Sequence, residues 1–143
     1  MAESLGQKGR GWDLNLLTSS VTTAIDRGDF VELDASGDVV KCSGASTKVI
    51  GVAETAVAAR SAASKERIAV RTRGKVRVNS DGSGTAIVPG EKLILDATGQ
   101  KVVHAADPGS TDPNATPDIV GIALDPSSAD DTEIDVLMLI GGR

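Results

Sequence analysis

The chain has 143 residues, 40% apolar but only 1% aromatic, and a formal net charge of −5. That length fits one compact domain, and with Trp12 and Phe30 as its only rings the core must be built from Val, Ile, Leu and Ala, each burying less than a ring does. One cysteine, Cys42, excludes an intrachain disulfide, and one histidine, His104, excludes metal sites built from Cys and His. A core this thin favours association between copies.

Residues 1–20 come first. Gly6, Gly9 and Gly11 among scattered polar residues predict a flexible N-terminal arm. Met1 to Arg10 lacks the apolar stretch of a signal peptide, and no run in the chain approaches a membrane span, so a soluble protein made in the cytoplasm is expected. The arm also carries Trp12, Leu14, Leu16 and Leu17. Anchors on a loose segment suit ordering on a partner; alternatively, the three leucines cover the end of the domain's own sheet.

The remainder, residues 21–143, reads as one β domain made of two tandem copies, about 22–78 and 84–141. Thr23-Ala24-Ile25-Asp26-Arg27-Gly28-Asp29 and Leu33-Asp34-Ala35-Ser36-Gly37 return as Thr85-Ala86-Ile87-Val88-Pro89-Gly90-Glu91 and Leu95-Asp96-Ala97-Thr98-Gly99. Val49-Ile50-Gly51-Val52-Ala53 returns as Ile119-Val120-Gly121-Ile122-Ala123, and Ile68-Ala69-Val70 as Ile134-Asp135-Val136. Phe30–Asp34 and Val39–Lys41 flank a turn where Gly37 supplies the positive φ of a hairpin, and residues 93–103 repeat it. Ala53–Ala63 is alanine-rich and fits either a short helix or a loop. Ile68 to Val78 alternates, with Ile68, Val70, Val76 and Val78 on one side and Arg71, Arg73, Lys75 and Arg77 on the other, the pattern of one long half-buried strand. Asp107–Asp118, with three prolines, is a surface excursion.

Catalytic and ligand-binding chemistry is sparse. His104 at a strand end is expected to be inert, and Cys42 to be a small buried residue rather than a reactive thiol. Asn79-Ser80-Asp81-Gly82-Ser83-Gly84 has alternate oxygen-bearing side chains, but its acidic closer Glu91 is one residue too far for a calcium loop, and no helices flank it. No cofactor, metal or catalytic residue is therefore expected. The basic face of Arg71, Arg73, Lys75 and Arg77 lacks the aromatic platforms of single-strand binders, so a solvated or interface-paired face is expected, with no nucleic acid or membrane as partner. Charge is uneven: residues 1–78 carry 12 Lys/Arg against 9 Asp/Glu, and residues 79–143 carry 3 against 11. Such a split could set the basic half of one copy against the acidic half of its neighbour.

The doubled order of an Ile-x-x-Gly-Asp/Glu start, a Leu-Asp-Ala-Ser/Thr-Gly hairpin, an Ile-Gly-Val/Ile-Ala strand and a closing strand, over about residues 21–141, resembles the capsid decoration (cement) proteins of bacteriophages, double-repeat relatives of the lambdoid head-stabilising protein. The resemblance implies a mainly β, barrel-like or β-tulip domain with at most one or two short helices. It also implies a homotrimer on the three-fold positions of the expanded head, on the outer capsid surface of the virion, holding the major capsid protein through its N-terminal arm. Trp12, Leu14, Leu16 and Leu17 would be the capsid-binding anchors, and the role would be structural rather than enzymatic. Two other classes stay open at this stage: a trimeric dUTPase-like nucleotide hydrolase, though no aromatic follows Phe30, and a glycan- or host-surface-binding module displayed on the virion.

Overall fold

The computed structural model describes residues 14–19, 23–43, 48–59, 64–105 and 119–139. They form ten strands: β1 (Leu14–Ser19), β2 (Phe30–Leu33), β3 (Val39–Lys41), β4 (Val49–Ala53), β5 (Glu66–Arg71), β6 (Gly74–Ser80), β7 (Lys92–Leu95), β8 (Val102–His104), β9 (Gly121–Ala123) and β10 (Thr132–Met138). No helix occurs among the described residues.

The repeated motif is repeated geometry. The turn before β2 is closed by Asp29, whose carboxylate accepts the Asp26 N–H at 2.8 Å; Glu91 does the same for Val88 at 2.9 Å. Gly28 and Gly90 hold φ 95° and 94° there, values an L side chain rarely adopts. In the hairpins, Asp34 accepts the N–H groups of Ser36 and Asp38, and Asp96 those of Gln100 and Lys101. The two acids of the motif thus act as local turn clamps.

The sheets repeat as well. One has the order β1-β5-β4-β2-β3, and the other is a barrel that runs β6-β10-β9-β7-β8 and closes by a parallel Ser80–Val102 contact between β6 and β8. Position for position the two orders agree, so β1 stands to β5 as β6 stands to β10, both antiparallel. Residues 14–19, assigned by sequence to a leader outside the repeat, therefore lie in the first sheet as its fifth strand. A physical reason is at hand, because the backbone groups of β5 on that side would otherwise lack partners. Trp12 lies outside the described residues.

One further expectation changes. Ile68 to Val78 is not one strand: it breaks at residues 72–73, and Gly74 (φ 89°) starts a strand of the other sheet. Even-numbered residues point inward on both sides of the break, with Ile68, Val70, Val76 and Val78 all buried, which is why the alternation reads as continuous. Within the alanine-rich stretch, residues 54–59 form a bend and an isolated Ile25–Val57 bridge, matched by Ile87–Ser127 in the second unit. The excursion at 107–118 lies outside the described residues.

The units share a core. Ile25, Val31, Val39, Ala53, Val57, Ile68 and Val70 fill the first sheet's own concavity. On its other face Phe30, Cys42, Val49 and Val52 join the barrel residues in one larger cluster that includes Leu93, Leu95, Val102, Val120 and Val136. Among the described residues Phe30 is the largest fully buried side chain. Gln100 fastens the junction: its side-chain amide donates to the carbonyls of Cys42 (2.8 Å) and Phe30 (3.3 Å) and accepts the Phe30 N–H (3.2 Å).

Gly51 and Gly121 mark a close approach common to both units. A Cβ on Gly51 would lie 2.3 Å from the Arg71 carbonyl oxygen, and one on Gly121 2.5 Å from that of Leu137. Gly51→Ala and Gly121→Ala should each destabilise the fold by about 1–3 kcal/mol, whereas Gly84→Ala, in open space, should leave the urea midpoint unchanged. Gln100→Ala strands buried Phe30 and Cys42 backbone groups and should cost about 1–3 kcal/mol by the same measurement.

Candidate functional site

Of the expected anchors, Leu14, Leu16 and Leu17 are carried by β1, where they pair in register with Arg71, Ala69 and Ile68 of β5. β1 is the end strand of its sheet in the hydrogen-bonded order. Trp12 precedes it by two residues. The structure thus brings three of the four anchors onto one edge strand of the first unit.

The basic face is divided and mostly neutralised. Arg71 pairs with Glu54 at 2.6 Å, and Arg27 approaches the same carboxylate at 3.9 Å. On β6, Lys75 meets Asp135 at 2.8 Å, and Arg77 reaches Glu133 and Asp135 at 3.3 Å each. These are cross-strand neighbours of β10, since Arg77 faces Asp135 and Val76 faces Val136 in register. The hydrogen bond and charge of Lys75 hold the Asp135 carboxyl below the usual range. Arg73 is exposed and has no ion-pair partner among the described residues. Glu133 and Asp135 of the acidic second half thus meet Lys75 and Arg77 of the basic first half inside one chain, strand against strand.

Groups with chemical potential are committed elsewhere. Cys42 is 3% exposed, and desolvation, reinforced by the neighbouring Glu32 charge, pushes its thiol up to about 12, so almost no thiolate exists at neutral pH. His104 Nε2 lies 3.1 Å from Glu91, the acid that clamps the turn before β7. Asp81 is taken up by Ser83, which donates through its N–H and hydroxyl, and the buried Ser80 hydroxyl donates to the Thr132 carbonyl and lies 2.8 Å from Ser127 Oγ. The 79–84 segment is thus a turn fixed against the 127–132 region. Among the described residues no group of three or more His, Cys, Asp or Glu could hold a metal ion.

A cleft of about 490 Å³ runs between the units, lined by Arg27, Asp29, Lys41, Glu54, Arg77, Gln100 and Glu133 among others. Its charges pair locally, as in the 3.1 Å Lys41–Asp29 contact, so it reads as a charge-paired seam between two units. The residue that sequence reasoning missed here is Gln100. Its signal is in the sequence: the offset between copies is 62 from Gly37 to Gly99 but 63 from Val39 to Val102, so the second hairpin holds one extra residue, and that hairpin docks on the first unit.

The fold has a counterpart among solved structures. The "head fiber gp8.5 N base" of bacteriophage phi29 superposes with a TM-score of 0.59 at 12% identity, over 87% of this chain and 93% of that one. No curated protein matches the chain. Residues 55–138 match the phage cement proteins. That span exceeds half of the 143 residues and runs from the end of the first unit through all of the second; the chain belongs to the phage cement protein family.

Proposed function

We propose that this structural phage head protein is a decoration protein: a homotrimer that sits on the three-fold positions of the expanded head, binds the major capsid protein on the outer surface, and stabilises the shell without catalysing any reaction. The observation that carries the reading is the family match over residues 55–138. The joined double unit supports it, because a body fastened by a shared core and by Gln100 can transmit load between several weak shell contacts. Three copies held together multiply such contacts, so each can be weak while the assembly stays bound.

In this reading Trp12, Leu14, Leu16 and Leu17 remain the capsid contacts. Trp12 is the strongest single anchor, since a tryptophan offers a large contact area with few rotatable bonds. The pairing of β1 with β5 changes how the contacts should be tested. A truncation must spare residues 14–19, because deleting them would remove a strand of the first sheet.

Purified protein mixed with expanded, undecorated heads should co-sediment to saturation and raise the temperature at which the heads disrupt. Protein that stays in the supernatant at all concentrations would sink the proposal. Removing residues 1–12, or replacing Trp12→Ala, should weaken head binding at least tenfold while the melting temperature of the free protein holds. A large fall in that temperature would instead make Trp12 part of the fold.

A further inference from the structure

β5 and β6 follow each other in the chain yet sit in different sheets, β5 between β1 and β4 and β6 between β10 and β8. Strands joined by so short a link ordinarily fold back on each other as a hairpin, and here a hairpin is available. β6 is the counterpart of β1, since Leu17 pairs with Ile68, and Val78 pairs with Ile134, the counterpart of Ile68. Set in the place of β1, β6 would put Val78 opposite Ile68, Val76 opposite Val70 and Lys75 opposite Arg71, with Thr72-Arg73-Gly74 as the loop. A three-residue hairpin loop ends on a residue of positive φ, and Gly74 already holds φ 89°. The apolar residues would not resist. Native pairing sets Val78 against Ile134 and Val76 against Val136, the same residue types that the hairpin would bring together.

The charges tell the two arrangements apart. On β10, Asp135 takes Lys75 at 2.8 Å and Arg77 at 3.3 Å, and Glu133 takes Arg77 at 3.3 Å. At the counterpart positions β5 has Ala69 and Arg67, and where β10 has Leu137 it has Arg71. In the hairpin Lys75 would lie directly opposite Arg71, and Arg67 would approach Arg77 from the place that Glu133 holds. Glu54, the acid that meets Arg71, is already shared with Arg27. Like charges set opposite each other oppose strand pairing. The strand that does occupy this place, β1, has Leu14 and Leu16 at the register positions of Lys75 and Arg77.

We propose that the cations of β5 and β6 are a pairing device: they bar the local β5–β6 hairpin, keep the place beside β5 for β1, and hold β6 for β10. Loop closure favours the wrong partner, because the hairpin closes over three residues whereas β1 reaches β5 across about fifty. Its rightful partner also comes late, since β6 is complete about fifty residues before β10 begins. Repulsion toward the near strand and attraction toward the distant one together select the native sheet. A hairpin there would displace β1, the strand that follows Trp12.

The test uses the full chain with reporter cysteines, Val70→Cys and Val76→Cys, in a Cys42→Ala background. The two positions face each other in the hairpin, whereas in the native fold they belong to different core clusters. Refolding from urea in a glutathione buffer links them in proportion to the hairpin formed, read by mass spectrometry after an acid quench. One chain keeps its charges. The other exchanges them between β6 and β10 (Lys75→Glu, Arg77→Glu, Glu133→Arg and Asp135→Lys), which retains each native pair in the opposite sense and sets an acid opposite Arg71. The exchanged chain should yield about fivefold more of the linked product, and the gap should narrow in about 1 M salt, where exposed charges are screened. Equal linkage in the two chains, or a gap indifferent to salt, overturns the proposal. If the exchanged chain does not regain its native circular dichroism, Arg67→Ala/Arg71→Ala replaces it, since that variant leaves β6 and β10 untouched. Its linkage should rise at least twofold over the unchanged chain, and no rise overturns the proposal.

Discussion

Phe30 is held fully out of water where the first unit meets the second, and the rest of the molecule is arranged around that contact. Val49, Val52 and Cys42 surround it on the first unit, the barrel residues complete the cluster, and Gln100 pins the backbone on either side. With only one other ring in the chain, no second aromatic contact can take its place. Truncating a buried Phe to Ala typically costs about 3–5 kcal/mol, a large share of the total stability of a small domain. Without this junction each unit would present an apolar outer wall to water, and the two would be beads on a string.

Much of this was legible in the sequence. The duplication, the hairpins and their turn glycines follow from composition that admits few alternatives: Gly37 and Gly99 take conformations most residues avoid, and the acids at 29, 34, 91 and 96 sit where exposed turn N–H groups need acceptors. The strand at residues 14–19 was not legible, because its partner is about fifty residues away and its own leucines suit a binding segment as well as a sheet. Nor was the break at Gly74, since the inward parity of the side chains survives the change of sheet. The anchors Leu14, Leu16 and Leu17 were found as a cluster, but their place on an edge strand depends on tertiary pairing. The joint between units was visible only as a one-residue change of offset at position 100.

The charge pattern shows how a sequence signal can be real and yet point inward. The basic stripe of β6 and the acidic stripe of β10 are cross-strand neighbours, so Lys75 and Arg77 neutralise Asp135 and Glu133 within the barrel wall. Exposed pairs of this kind add little stability, roughly 0–1 kcal/mol each, but like charges in the same register would oppose pairing.

The stacking order also shapes how the protein is made. Residues emerge from the ribosome in sequence, so the first unit is complete when the wall that must cover Phe30, Val49 and Val52 has not yet been translated. Until β6 to β10 arrive, the nascent chain carries a greasy flank with nothing on it, and neighbouring chains on a crowded message offer the same flank. Nearly all stabilising contacts of that flank are distant in sequence, which slows their formation. Every copy thus depends for its solubility during synthesis on how quickly its own second half overtakes that of a stranger.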